Sequence, residues 1–239
     1  MAGDNLYLLA ALPGLGDLGS VPPMTPARFL EQVIDSDGNR ALLEALLLSD
    51  DLLQRQAYLS GEAEQVGPVV LTPAQSHDEE ALPEYLDISF KGNSSHLVPD
   101  AVLEAYFRYA SSVADAQNSD FLRGWIKYEV GLRNALATER AKALNLDPQE
   151  SIITEDLGEE KEDFSAVISE WGSAPDPLEG LRILDSARWR WLGEHDGWFS
   201  FEDDELAAYG VRLMLLQRWN RLEKGSSSQP EKALVSLEG

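Results

Sequence analysis

The spacing of apolar residues predicts α-helices over most of the chain. The clearest pattern recurs every three or four residues, the period of one helix face, at Phe121, Trp125, Tyr128, Leu132 and Leu136. A similar face precedes it, at Val102, Leu103, Tyr106, Phe107, Ala110 and Val113. We expect Asp100 to cap the earlier helix and Asn145 to end the later one.

Start signals place further helices on either side of these two. Thr25 followed by Pro26 is typical of an N-cap and a first helical position, and Asp176 followed by Pro177 repeats the signal. A third helix is predicted over 40–48. The run Ser49-Asp50-Asp51 then predicts a new N-terminus for a separate helix that ends at Leu59.

The last long helix is predicted to begin near Ser200 and to end before Gly225. Two adjoining apolar stripes run along it, so we expect neighbouring elements to cover most of its surface. Residues 225–239 are predicted to form a flexible C-terminal tail. The stripes consist of Leu206, Tyr209, Leu213, Leu216 and of Val211, Leu215, Trp219, Leu222.

Strands are scarce in this pattern, although Val69–Leu71 and Leu86–Phe90 could form short ones. The sequence therefore predicts an all-α fold, a multi-helix bundle with long acidic connections. One helical domain over 1–224 is expected, with two helical lobes, 1–96 and 97–224, as the alternative division.

The charge is strongly acidic, with 42 Asp and Glu against 19 Lys and Arg, a formal net charge of −23. The excess lies in the connections: residues 50–90 hold nine acidic and one basic residue, and 145–177 hold ten and one. Such a surface disfavours nucleic acid and anionic lipid. It suits a basic protein partner, or it simply maintains solubility.

Apolar runs long enough to span a bilayer are absent from the sequence, and no signal-peptide pattern opens it. We therefore expect a cytoplasmic protein without direct membrane insertion. There is also no cysteine, which excludes disulfides and thiolate chemistry.

Candidate catalytic chemistry is sparse. Gly14, Gly16 and Gly19 fit a dinucleotide-binding pattern, but Pro22 and Pro23 block the helix that pattern requires. The acidic runs lack the alternation of a calcium loop. We predict no catalytic residues, no metal, no cofactor and no small-molecule ligand. The alternatives are a metal-assisted hydrolase using clustered carboxylates and His195, or a generic acidic adaptor.

Arg133 and Asn134 lie at the edge of the apolar stripe and should be partly buried. A buried guanidinium requires a carboxylate and further acceptors. We expect Glu129 to supply one within the helix and Asp185 to supply another from the 178–191 helix. Arg133 would then clamp the segments 97–144 and 178–224 together. The tryptophans, including Trp125, are expected in the core or at junctions between elements.

Four segments together resemble an uncharacterised bacterial family encoded beside V/A-type ATPase genes. That family in turn resembles a shortened form of the helical socket protein that joins the central stalk of these ATPases to the membrane rotor ring. The strongest parts are the Glu129-x-x-x-Arg133-Asn134 helix and the Asp-Pro-Leu-Glu helix start. The segments are Leu6–Pro13, Pro22–Leu30, Phe121–Ala141 and Asp176–Trp189.

The resemblance implies a non-catalytic subunit or accessory of a bacterial V/A-type rotary ATPase. Its partners would be other ATPase subunits, those of the central stalk and the rotor ring. The protein would then be peripheral on the inner face of the plasma membrane through the complex. Candidate structural or interaction residues are Trp125, Glu129, Arg133, Asn134, Arg140, Asp185, Arg188 and Trp189.

Overall fold

The fold is all-α in a computed structural model that describes residues 5–88, 98–158 and 162–235. Three short 3-10 turns, Glu84–Leu86, Pro148–Ser151 and Glu155–Leu157, accompany the helices. The helices are α1 (Leu6–Ala11), α2 (Pro26–Asp35), α3 (Arg40–Leu59), α4 (Pro73–Ser76), α5 (Val98–Gln117), α6 (Asp120–Ala143), α7 (Ser165–Gly172), α8 (Pro177–His195) and α9 (Asp203–Val235).

The possible short strands are not formed in the described residues. The backbone N–H groups of Val69, Val70 and Leu71 donate to the side chain of Asp51 instead of to a neighbouring strand. Leu86 belongs to a 3-10 turn. Phe90, at the end of the second candidate strand, lies outside the described residues.

The predicted break at Ser49 is wrong, because α3 continues from Arg40 to Leu59. The Ser49 hydroxyl donates back to the carbonyl of Leu46 at 2.8 Å, a bond that a helix interior accommodates. Asp50 and Asp51 point to groups elsewhere in the chain rather than to the first N–H groups of a new helix. The two carboxylates therefore make tertiary contacts and do not cap a helix.

The predicted ends of other helices are confirmed. Thr25 accepts a hydrogen bond from the N–H of Arg28, and Asp176 accepts one from the N–H of Glu179. After α6, Asn145 adopts a left-handed conformation with φ +56°. Two hydrogen bonds there, from the N–H of Leu146 to Ala141 and from that of Asn145 to Lys142, form a Schellman-type C-cap.

Helix α9 lies at the centre of the core and packs against α2, α3, α6 and α8. Both of its apolar stripes contribute buried side chains, as predicted. The approach of α2 and α3 is close, since a Cβ at Gly210 would lie 3.0 Å from the Phe29 ring and 3.2 Å from Leu43. One apolar cluster joins residues of all these helices.

The predicted end of α9 at Gly225 is wrong, because the backbone helix continues to Val235. Glycine and serine are poor helix formers and Pro230 has no N–H group to donate, so the helix continues here against local propensity. Among the described residues, no helix combines the length and apolar character needed to cross a bilayer.

Candidate functional site

The carboxylate of Asp185 on α8 is one of the fully buried polar groups among the described residues, with an exposed fraction of 0%. It accepts hydrogen bonds from Arg188 at 3.0 Å, from Arg218 at 3.2 Å and from the indole N–H of Trp219 at 3.1 Å. A buried carboxylate of this kind is stable only when cations and donors surround it. Asp185 thus connects its own helix to α9.

The pairing extends in both directions from Asp185. Arg188 donates two hydrogen bonds to Glu129 on α6, at 2.6 and 2.9 Å. Burial acts to lower the pKa of Arg188, but the carboxylates of Glu129 and Asp185 raise it above its ordinary value. On the other side, Arg218 and Arg221 both reach Asp50 on α3, at 3.3 and 2.7 Å.

Six side chains therefore form an alternating series of acids and arginines with no net charge, which we term the buried charge chain after its two buried acids, Asp50 and Asp185. It links α6, α8, α9 and α3. Charges that neutralise one another in this way tolerate burial, whereas a single one would not. The chain consists of Glu129, Arg188, Asp185, Arg218, Asp50 and Arg221.

The predicted partners of Arg133 are wrong, because Glu129 and Asp185 belong to the buried charge chain. A bidentate pair with Arg188 of a facing helix engages Glu129 more strongly than the exposed type of pair within one helix. Sequence reasoning also missed Asp50 as a site residue. Its signal was present, since Asp50 and Asp51 interrupt an otherwise apolar stretch of α3.

The predicted clamp between segments 97–144 and 178–224 is also wrong, because Arg133 instead links α6 to α5 and to the turn at Ser151. Its guanidinium donates to Asp100 of α5 at 2.6 Å and to the carbonyl of Ser151 at 2.8 Å. Asn134 exchanges two hydrogen bonds with the backbone of Ile153, at 2.8 and 3.2 Å. Asp100 is not the predicted N-cap, because α5 already begins at Val98 and its carboxylate points to Arg133.

The remaining predicted residues pack in aromatic contacts. Trp125 is 3% exposed, and its ring lies 5.4 Å from that of Trp191. The guanidinium of Arg140 lies 5.2 Å above the ring of Trp171. Trp189 is partly buried beneath Arg212, at 5.8 Å. These placements support the helices rather than line a cavity.

The residues of the hydrolase alternative are engaged in structural contacts. The Nδ1 atom of His195 lies 2.8 Å from the carbonyl of Trp191, and its ring stacks on that indole at 4.0 Å. Asp196 accepts a hydrogen bond from Arg212 at 2.9 Å. Within the described parts of the chain, no three His, Asp or Glu residues are arranged to hold a metal ion.

The connection between α8 and α9, residues 196–202, forms an aromatic loop that the sequence did not single out. Trp198 is 65% exposed and Phe199 is 72% exposed. Trp198 therefore lies at a junction between elements, as expected of the tryptophans, but outside the core. The two carboxylate oxygens of Glu205 accept the N–H groups of Phe199 and Phe201, at 3.2 and 2.7 Å.

A polar cavity of about 620 Å³ adjoins this loop, with Phe201 and Glu202 in its wall. Two carboxylates at the start of α9 also line it. Asp203 accepts from the side-chain amides of Asn5 and Asn39, at 2.8 and 3.0 Å. Asp204 accepts from the hydroxyl of Ser119 at 2.5 Å and from a backbone N–H at 3.0 Å.

Comparison with known proteins places the chain in a family. No curated protein and no solved structure matches it. A model of a protein family of unknown function, DUF2764, matches residues 73–237, from α4 through α9. That match covers more than half of the chain and contains Glu129, Arg133 and Arg188. The chain therefore belongs to the DUF2764 family.

Proposed function

We propose that the chain is a non-catalytic subunit or accessory of a bacterial V/A-type rotary ATPase, in a role like that of the stalk-to-ring socket. The observation that carries this proposal is the resemblance of four sequence segments, two of which form most of α6 and the first part of α8. In this role the chain would join the central stalk to the membrane rotor ring. It would be peripheral on the inner face of the plasma membrane through the complex.

The residues that carry the resemblance lie where they hold helices together, which is compatible with a protein that transmits force. Glu129 and Arg188 hold α6 to α8, and Arg133 holds α6 to α5 and to the segment around Ser151. A protein that couples stalk to ring must transmit force without its helices sliding past one another. Sliding here would separate buried charges from their partners, which costs several kcal/mol for each broken pair, on the order of 3–5.

The acidic surface is compatible with the expected partners. A net charge of −23 favours contact with basic helix ends of stalk or ring proteins. The electrostatic attraction would accelerate assembly and weaken with rising salt.

Purification of the complex tests the proposal. The full chain, tagged at its natural expression level, is isolated from native membranes, and the co-purifying proteins are identified. We expect ATPase stalk and ring proteins in a fixed ratio, and no such recovery from cells that lack the ATPase genes. Isolation of the chain with other partners but without any part of the ATPase would contradict the proposal.

Membrane vesicles provide a functional measurement. In vesicles from cells that lack the chain, we expect ATP-driven ion transport to fall more than ATP hydrolysis, because a socket between stalk and ring holds no catalytic group. Restoring the chain from a plasmid should restore transport. Equal loss of both activities would place the chain elsewhere in the complex.

A generic acidic adaptor is the second candidate, favoured by the exposed aromatic loop. It would also be non-catalytic, but its partners would lie outside the ATPase. The same purification distinguishes the two, because an adaptor would be recovered with a constant partner set that persists in cells without the ATPase.

A further inference from the structure

The aromatic loop exposes two large apolar side chains next to each other. The rings of Trp198 and Phe199 meet edge to face with centroids 5.6 Å apart, and Phe199 lies 6.3 Å from Phe201. Single exposed apolar residues are common on protein surfaces, but adjacent aromatic rings are typical of interaction sites. The described part of α8 and α9 leaves both outer rings largely uncovered.

The loop holds these rings in an unfavourable backbone conformation. Phe199 has φ +64° and Phe201 has φ +57°, a region that bulky residues avoid. Glu205 stabilises both by accepting their N–H groups, so the loop is fixed by a side chain of the adjoining helix. Strain of this kind is found where a protein presents residues for binding. A rigid loop also loses little entropy when a partner binds.

The charge around the loop indicates the nature of the partner. Residues 194–205 contain six acidic residues and no Lys or Arg. Glu194 and Glu202 are exposed on the two sides of the aromatic residues. In the cavity beside the loop, the donors described for Asp203 and Asp204 are all neutral amide, hydroxyl or backbone groups. Apolar surface is thus bordered by an excess of negative charge, even though Asp196 pairs with Arg212 and Arg40 lies in the wall of the cavity.

We propose that the aromatic loop and its acidic border bind a basic amphipathic helix of a protein partner. The apolar side of that helix packs on Trp198 and Phe199, while its Lys or Arg side chains reach Glu194 and Glu202 and the mouth of the cavity. In a helix, residues three and four apart present both groups on adjoining faces. An anionic membrane would be repelled by the same acidic border. The inference does not depend on the rotary ATPase proposal.

The first test removes the rings. A labelled synthetic helix of about 18 residues, with Leu and Lys at helical spacing, is titrated with the full chain and followed by fluorescence anisotropy. We expect Trp198→Ser/Phe199→Asn to weaken binding at least about tenfold. Asn tolerates the left-handed conformation at 199. Tyr7→Ser is the control, because Tyr7 is 84% exposed but lies outside the loop.

The second test separates local from overall charge. Glu194→Gln/Glu202→Gln and Glu62→Gln/Glu79→Gln remove the same two charges, and all four carboxylates are exposed. We expect only the first pair to weaken peptide binding severalfold beyond the general effect of salt. Thermal unfolding checks that each variant is folded.

Two results would overturn the proposal. One is unchanged peptide affinity in the Trp198→Ser/Phe199→Asn variant, or equal weakening by the two glutamine pairs. The other is binding of the chain to vesicles of phosphatidylcholine and phosphatidylglycerol that depends on the same aromatic residues, which would assign the loop to a membrane surface.

Discussion

Asp51 is a buried carboxylate whose partners are backbone N–H groups and not a cation. Val69, Val70 and Leu71 donate to it at 2.6–3.0 Å. Burial raises the pKa of Asp51 from 3.8 to about 6, against the opposing effect of these three hydrogen bonds. The nearby charge of Asp50 raises it further. Asp51 is therefore a carboxyl group that stays protonated well above its ordinary range.

The pKa of Asp51 predicts a pH dependence of stability. Between about pH 4 and pH 6 the folded chain holds a proton that the unfolded chain has lost, so the free energy of unfolding decreases as the pH rises through this window. The full effect is about 3 kcal/mol. Denaturant unfolding at several pH values should show a shallower decrease for Asp51→Asn, whose amide resembles the protonated acid. Parallel curves for the two proteins would contradict this assignment.

Trp125 tests the aromatic packing between α6 and α8. Its indole is 3% exposed and stacks with Tyr128 at 6.0 Å between ring centroids. Trp125→Ala should lower the free energy of unfolding by about 3–5 kcal/mol, because it leaves a large cavity. Trp198→Ala is the matched control, with an expected change below about 1 kcal/mol. A change of that small size at Trp125 would show that its burial is not what stabilises this contact.

For single residues, the sequence predicted burial where burial depends on helical periodicity. Trp125 falls on a helical stripe, so its burial followed from spacing. Trp198 has no such pattern around it, and its exposure depends on the positive φ angles of Phe199 and Phe201. The backbone N–H groups of both residues donate to Glu205, which stabilises these angles. Nothing in the sequence around Trp198 indicates them.

Between elements, Arg188 is the central cation on one side of the buried charge chain. Arg188→Ala should lower the free energy of unfolding by about 3 kcal/mol, because the partly buried Glu129 would lose its cation and the buried Asp185 would lose one of its two. Arg188→Lys should recover part of the loss, since a lysine keeps the charge but not the two-pronged geometry. Arg123→Ala is the control: its ion pairs with Asp115 of α5 and Asp120 of α6 are more exposed, so stability should change by less than about 1 kcal/mol.

Arg133 distinguishes a structural tie from a partner contact. Its side chain is 20% exposed and pairs with Asp100 at 2.6 Å. Arg133→Ala should lower the free energy of unfolding by about 2–3 kcal/mol through the loss of the bonds to Asp100 and Ser151. Unchanged stability together with failed assembly into a complex would show instead that Arg133 faces a partner.

Helix ends were predictable where the signal is local. Thr25 and Asp176 bond to N–H groups three residues ahead, so their identity and position suffice. Asp50 and Asp51 carry the same kind of signal, but their partners lie far away in sequence, at Arg218 and Val70 among others. In the sequence, an acidic residue that caps a helix cannot be distinguished from one that binds a distant group. The pairing of Arg133 was mispredicted for the same reason.

For the molecule as a whole, we expect the excess of acidic residues to determine how thermal stability depends on salt. With a net charge of −23, the acidic side chains repel one another, and salt screens this repulsion. The Debye length, beyond which exposed charges hardly interact, falls from about 30 Å at 0.01 M salt to about 8 Å at 0.15 M. We expect the thermal midpoint to rise as sodium chloride increases over this range. Glu62→Lys/Glu79→Lys should raise the midpoint at low salt and flatten its salt dependence, whereas Glu62→Asp/Glu79→Asp should not. Destabilisation by salt would contradict this account.

The all-α class followed from the sequence because the long helices show a helical period of apolar residues, whereas the assembly of the helices could not be predicted. The contacts that fix α3, α6 and α8 around α9 join residues as far apart as Asp50 and Arg221. The candidate binding loop likewise depends on how two helices meet. The packing of the helices and the conformation of the loop both depend on contacts between residues that are distant in sequence.

The buried charge chain also implies that substitutions at its six positions are energetically coupled. Replacing Arg188 alone leaves Glu129 without its arginine, and replacing Asp185 alone removes the acid that Arg188 and Arg218 share. A variant with only one member of the series replaced is therefore destabilised. Replacing the whole series by apolar residues of similar size can be neutral. We therefore expect a replacement of Glu129, Asp185 or Asp50 to be tolerated best when the arginines that pair with it are replaced as well.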